Sequence, residues 1–286
     1  MSLLQSLIEH LDLEQIETNL FRGVSEQMGS PRVFGGQVVG QALIAALRTV
    51  EERPCHSLHG YFLRAGDPSI PIIYEVDRIR DGRSFTTRRV VAIQRGQAIF
   101  NMSASFQVIE EGLTHQVTMP DVPMPDELPS EKETLAARSA DLTEEMRRML
   151  TRERPIEMKR VEPFDFLKPE KREPVQHTWF RARGELGDDM AMHQCLLAYA
   201  SDMGILSTCT LPHGMTFMTG LMTASLDHAM WFHRDFRVDE WILFAQDSPA
   251  SAGARGFNRG SMFREDGTLI ASVAQEGLIR VVNREA

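Results

Sequence analysis

Hydrophobic and polar positions alternate most cleanly near residue 100, where Phe100, Met102, Ala104, Phe106 and Val108 interleave with Asn101, Ser103, Ser105 and Gln107. A two-residue period places the first set on one face and the second on the other, which predicts a strand with one buried and one wet face. This strand spans residues 98–109, and similar patterns precede it at 57–64, 72–80 and 84–93. Asp81-Gly82 is a strong hairpin signal and Arg95-Gly96 a weaker one. Upstream, residues 36–50 are rich in Val, Ala and Leu and predict a helix. The paired Gly35-Gly36 at its start lets a backbone approach something closely.

The same order recurs. A helix is predicted at 190–206, followed by strands at 226–233, 240–246, 252–262 and 268–282, with Asp266-Gly267 as the last hairpin turn. Tyr61-Phe-Leu-Arg64 resembles Trp231-Phe-His-Arg234 at a shift of 170, and Gly96 matches Gly267 at a shift of 171. A helix followed by antiparallel strands, twice, predicts an α+β fold. The simplest architecture is two tandem repeats, each a long helix wrapped by a curved antiparallel sheet. Joining the two sheets edge to edge would protect their open edges.

Between the repeats this patterning is lost. From Asp121 to Glu173, 25 of 53 residues are charged, and eight prolines lie between Pro120 and Pro174, so the stretch reads as a linker. A polar helix is predicted inside it at 131–151, from the spacing of Leu135, Leu142, Met146 and Leu150. The expected organisation is an N-terminal half at 1–115, a charged Pro-rich linker at 116–175 and a C-terminal half at 176–286.

Composition narrows the function classes. With 286 residues, 42% hydrophobic and 25% charged, the chain has an ordinary globular balance. A net charge of −9 makes it a poor general binder of nucleic acid or anionic membrane. No apolar run exceeds six residues, as at 42–47, far short of the roughly 20 that a bilayer span needs. The first ten residues show no basic segment or small-residue cleavage site, and Asn283-Arg-Glu-Ala286 is neither an ER nor a peroxisomal address. Cys55, Cys195 and Cys209 are odd in number and widely spaced, which suggests neither a disulfide framework nor a zinc site. A cytoplasmic protein with reduced thiols and no metal is expected.

Polar residues on faces that ought to be apolar are the candidates for chemistry. Asp202 falls on a helical stripe with Met192, Cys195, Tyr199 and Leu206, where a carboxylate is costly unless paired or functional. Gln275 interrupts the apolar strand face of Leu269, Ala271, Val273 and Ile279, and its counterpart in the first repeat is Ala104. Ser225 opens the strand that runs to His233, and its counterpart is Cys55. The chain has no Gly-x-Ser-x-Gly elbow, dinucleotide fingerprint or phosphate loop. His228 beside Asp227 looks like a dyad, but strand neighbours point apart, and it reads as a structural histidine.

Taken together, these segments resemble the acyl-CoA thioesterase II family, double-hotdog enzymes of the bacterial TesB type. The resemblance spans nearly the whole chain. In the first half it is carried by Leu20-Phe-Arg-Gly23, Val33-Phe-Gly-Gly-Gln-Val-Val-Gly-Gln-Ala42, His56-Ser-Leu-His59, Tyr61-Phe-Leu-Arg-Ala-Gly-Asp67 and Arg80-Asp-Gly-Arg-Ser-Phe85. In the second half it is carried by Tyr199-Ala-Ser-Asp202, Leu226-Asp-His-Ala-Met-Trp-Phe-His233, Ser251-Ala-Gly-Ala-Arg-Gly256 and Gln275-Glu-Gly277. It implies hydrolysis of medium- to long-chain fatty acyl-CoA with no cofactor. Asp202 would be the general base, and Ser225 and Gln275 would position the water; bacterial members often carry Thr where this chain has Ser225. Gly36 and Gln37 are the implied oxyanion donors at the start of the central helix, and His56 is a further substrate contact. Arg255, Arg259, Arg88 and Arg89 are candidates for the CoA phosphates, and Met215, Met218 and Met222 for the acyl tunnel. A homodimer or homotetramer is expected, with the first half structural. The rivals are a hotdog hydratase, which needs a catalytic histidine from His56 or His228, and a non-catalytic acyl-CoA-binding protein.

Overall fold

A computed structural model describes residues 1–25, 30–136, 152–162, 164–165 and 167–282. The first repeat contains α1 (Leu3–Leu11), β1 (Glu14–Glu17), β2 (Leu20–Gly23), α2 (Gly35–Leu47), β3 (Cys55–Phe62), β4 (Ile72–Asp81), β5 (Phe85–Gln94) and β6 (Gln97–Gln107). Then come α3 (Glu131–Ala136) and β7 (Ile156–Arg160). The second repeat contains β8 (Val175–Ala182), α4 (Met190–Ser201), a 3-10 stretch (Ile205–His213), β9 (Leu221–Ser225), β10 (Asp227–Phe232), β11 (Ile242–Ala252), β12 (Arg255–Arg264) and β13 (Leu269–Val281).

The described strands form one antiparallel sheet in the order β1-β2-β4-β5-β6-β3-β10-β13-β12-β11-β8-β7, with β9 on the far end of β13. This is the expected α+β double hotdog. The two halves join through β3 and β10, where His59 lies opposite Ala229. The shift of 170 equates those two positions, so the seam sits on the local twofold axis that relates the repeats. Pairing there removes one open edge from each half-sheet.

Both central helices are buried, α2 from Gly36 to Ala46 and α4 from His193 to Ser201. They cross closely because two positions on α2 carry no side chain. A Cβ on Gly36 would collide with the carbonyl oxygen of Tyr199, and one on Gly40 would come within 3.2 Å of that of Cys195. Phe34 then seats edge-on against Tyr199, with ring centroids 5.1 Å apart. The N-terminal half gains a further helix, α1, which buries Leu4, Leu7 and Leu11.

Local features refine the sequence reading, and one departs from it. Arg95-Gly96, the weaker hairpin signal, is the tight turn: both residues have positive φ (50° and 73°), as a two-residue primed turn requires. Asp81-Gly82 also closes a hairpin, through a longer loop: Asp81 ends β4 opposite Thr86, Gly82 N–H donates to the Phe85 carbonyl, and β5 begins at Phe85. Part of the charged stretch at 116–175 is sheet, because β7 pairs with β8 and buries Ile156 and Met158. Five alternating residues suffice for a strand where composition suggested a linker. Of the helix predicted at 131–151, Glu131–Ala136 is helical and the remainder lies outside the described residues.

Candidate active site

Asp202 sits where α4 stops. The helix ends at Ser201 rather than reaching residue 206, because Gly204 adopts a left-handed conformation with φ +85°. Leu206 therefore belongs to the following 3-10 stretch and not to the predicted stripe. A carboxylate at a helix C-terminus faces the negative end of the macrodipole. Two donors offset this. The N–H of Gly36, in the first turn of α2, donates to Asp202 Oδ2 at 2.8 Å, and Gln275 Nε2 donates to Oδ1 at 2.7 Å. The C-terminus of one central helix thus meets the N-terminus of the other across this carboxylate.

Gln275 is fully buried on the face it shares with Ala271 and Val273, as the two-residue period predicts. Its Nε2 also reaches His228 Nδ1 at 3.1 Å, and His228 Nε2 lies 2.8 Å from Ser201 Oγ. Gln275 Oε1 is the one buried side-chain oxygen or nitrogen without a partner among the described residues.

Ser225 ends β9, opposite Gly277, rather than opening the next strand. Between this pair and Ala229–Ala274 the register slips by one residue. Leu226 N–H donates to the Glu276 carbonyl and Asp227 Oδ1 accepts from Glu276 N–H, which closes the irregularity from both sides. A bulge of this kind re-aims a side chain. Ser225 lines a cavity of about 340 Å³, whose wall includes Gly35, Val38, Phe62, Phe100 and Leu226. Gly35 connects the cavity to the carboxylate: a Cβ there would lie 2.8 Å from Asp202 Oδ2 and 3.0 Å from the Phe62 ring.

Of the other predicted polar contacts, Gly36 touches Asp202 and the rest have partners of their own. The N–H of Gly36, expected to face an oxyanion, is bonded to Asp202. Gln37 is buried, and its amide bonds to Val24 O, Ser25 Oγ and Gln41. His56 bonds Ser105 Oγ at 2.8 Å and lies edge-on to Phe85. Arg88 is buried and holds Thr49 and Asp81, so it is a structural cation. Arg89 pairs with Asp77, Arg255 with Glu276 and Arg259 with Asp247. Arg259 lines a different cavity, of about 590 Å³. It points there because β12 turns Asn258 inward and Arg259 outward. Met215, Met218 and Met222 are absent from the wall of the Ser225 cavity. The arginines in that wall are Arg32 and Arg64, both exposed and both overlooked in the sequence. They sit in irregular segments, where periodicity carries no signal.

Comparisons with known proteins identify the family. A family model for acyl-CoA thioesterase matches residues 149–278, and one for an acyl-CoA thioesterase N-terminal domain matches residues 24–107. Acyl-CoA thioesterase 2 of Haemophilus influenzae is 42% identical over 97% of this chain and 98% of its own. The chain belongs to the TesB-type acyl-CoA thioesterase II family. Acyl-coenzyme A thioesterase 8 of Homo sapiens is 45% identical to this thioesterase, over 95% of this chain and 88% of its own. The solved acyl-CoA thioesterase II TesB2 from Mycobacterium marinum superposes with a TM-score of 0.79 at 41% identity, covering 98% and 99% of the two chains. The thioesterase is therefore an acyl-CoA hydrolase, acting on a thioester.

Burial holds several of its groups uncharged. It pushes the Cys55 thiol up to about 12, and all three cysteines are free and buried. His228 is held below the usual imidazole range by burial, against the opposing pull of Asp202 and Asp227. Burial lowers His56 and His233 as well. In the unfolded chain these rings titrate near pH 6.5, so on acidification the unfolded state takes up protons first. Their contribution to stability is fully present above about pH 6.5 and is lost as the pH falls through the lower folded values. The melting temperature should decline from neutral pH toward pH 5; an unchanged value would contradict this assignment.

Proposed function

We propose that this thioesterase hydrolyses medium- to long-chain fatty acyl-CoA by direct attack of water on the thioester carbon. Asp202 is the general base, and Ser225 and Gln275 hold the water. The observation that carries this reading is the Asp202 carboxylate, oriented by Gln275 and Gly36 beside the cavity that Ser225 lines. A carboxylate offers about four acceptor sites, and these two bonds leave room for a water. The unpartnered Gln275 Oε1 supplies a second acceptor and the Ser225 hydroxyl a third polar contact. Holding the water in an aligned attack geometry removes much of the entropic barrier.

The proton moves from the water to Asp202 as the carbon–oxygen bond forms. Collapse of the tetrahedral intermediate breaks the carbon–sulfur bond, the departing thiolate takes the proton back from Asp202, and CoA leaves as the thiol with the base restored. Because Gly36 N–H is already engaged, we assign the oxyanion to the N–H of Gln37, in the helix turn whose N–H groups lack intrahelical acceptors. Val38, Phe62, Phe100 and Leu226 give the acyl chain an apolar wall. Arg32 and Arg64 offer cations to the CoA phosphates. Replacing both with Ala should raise KM about tenfold, the scale of a charge-assisted contact, and change kcat little. Steady-state kinetics at two ionic strengths checks this.

Two alternatives lose support. A hydratase would need an available histidine, but both nitrogens of His228 are bonded inside the protein and His56 lines neither cavity. A covalent acyl-Ser225 would need a base on its hydroxyl, and no histidine bonds Ser225 among the described residues. Thiol release from C4 to C18 acyl-CoAs tests the function and locates the chain-length preference. Binding without thiol release would favour the non-catalytic reading. A homodimer or homotetramer remains part of the proposal, and light scattering in solution tests it. A cytoplasmic location also remains part of it, and the three free thiols suit that compartment.

A further inference from the structure

We infer that His228 is a positioning residue that fixes which way the Gln275 amide points, through a one-directional hydrogen-bond chain anchored on the backbone of α4. The inference rests on the proposed role of Gln275 in holding the attacking water.

The direction of the chain follows from hydrogen-bond polarity. Ser201 Oγ lies 2.8 Å from the Ala198 carbonyl, which can only accept, so the serine hydroxyl donates there. Its oxygen must then accept from His228 Nε2, 2.8 Å away, which places the imidazole proton on Nε2. His228 Nδ1 is left as a bare acceptor. The Gln275 group 3.1 Å from it must therefore be the NH2, and the same NH2 meets the Asp202 carboxylate at 2.7 Å. Both acceptors select one amide orientation. In the opposite orientation the amide oxygen would face a carboxylate and a ring-nitrogen lone pair. The selected orientation leaves Oε1 as the free acceptor, and this is the atom without a partner.

The repeat sets this apart from ordinary core packing. In the first half the equivalent positions are Leu58 and Ala104, which are opposed across β3 and β6 and buried, with no polar chain to orient. His228 is likewise fully buried, so a leucine fits the fold at this place in the other repeat. A histidine here serves Gln275 rather than the core.

The tautomer can be read directly. Imidazole 15N shifts at pH 8 should show His228 with a protonated Nε2 and a bare Nδ1, and the reverse tautomer would overturn the inference. Kinetics provide the second test. His228→Leu should lower kcat about tenfold or more, the scale of a misplaced reacting group, with KM within about twofold of wild type. His228→Asn puts an oxygen near the Nδ1 position and should recover part of the loss. Ser201→Ala removes only the anchor hydroxyl and should also lower kcat, which keeps the test valid if His228→Leu fails to fold. In a Gln275→Ala background, His228→Asn and Ser201→Ala should cost nothing further. Losses in that background equal to those in the wild type would overturn the inference alone. Wild-type turnover by Gln275→Ala itself would overturn both it and the proposed role of Gln275.

Discussion

Asp202→Asn is expected to lower kcat about a thousandfold, within the range for loss of a general base, while acyl-CoA still binds. Asparagine has nearly the shape of aspartate but cannot take a proton from water. It also has only one acceptor oxygen for two donors. Gly36 N–H and Gln275 Nε2 each approach a different carboxylate oxygen. An asparagine NH2 would face one of them, donor to donor, and so disturb the water as well as the base. The apolar cavity wall and the arginines at its edge are untouched by the change, so binding should persist. Thiol release and calorimetric binding measured on the same preparation separate the two effects. Wild-type turnover in this variant would place the base elsewhere.

The largest stability effect is expected from Gly36→Ala. The added methyl would meet the Tyr199 carbonyl oxygen and the Phe34 ring at distances no van der Waals contact allows. A backbone oxygen inside a buried helix cannot rotate away as a side chain can, so α2 and α4 must separate. Overpacking of this kind costs about 3 kcal/mol, the upper part of its usual range, and should lower the melting temperature by at least about 5 °C. Turnover should fall too, because separating the helices lengthens the Gly36–Asp202 bond that orients the proposed base. Gly40→Ala is the comparison, since its nearest backbone oxygen is 3.2 Å from the added carbon and it lies one turn from the site. Its loss of stability should be smaller. Equal melting temperatures for the two variants would contradict the close approach at Gly36.

The fold was legible because both repeats keep their periods. The helix and four strands of each half were visible, as was the joining of the two sheets edge to edge; that β3 and β10 form the seam, with His59 opposite Ala229, was not. Asp202 and Gln275 were visible as polar residues on apolar faces. His228 was missed for a physical reason: its neighbour Asp227 does point away from it, but the partner that matters lies on the next strand. Setting His228 against Leu58, its counterpart in the repeat, would have exposed it. The candidate cations were chosen because arginine matches phosphate geometry, without weighing strand faces. Arg259 follows the inward Asn258, so the outer face was readable. Arg88 is inward on its strand and fills the first half with ion pairing in place of chemistry. Arg32 and Arg64 lie in loops, where only the folded chain brings them to one cavity.

Direct attack by water is the central claim, and Ser225→Ala tests it most directly. Thiol release from an acyl-CoA by this variant should persist, reduced about 10- to 100-fold, the cost of losing one group that positions the water. Turnover indistinguishable from the enzyme-free rate, in a variant that folds and binds acyl-CoA, would make Ser225 the nucleophile and contradict the account.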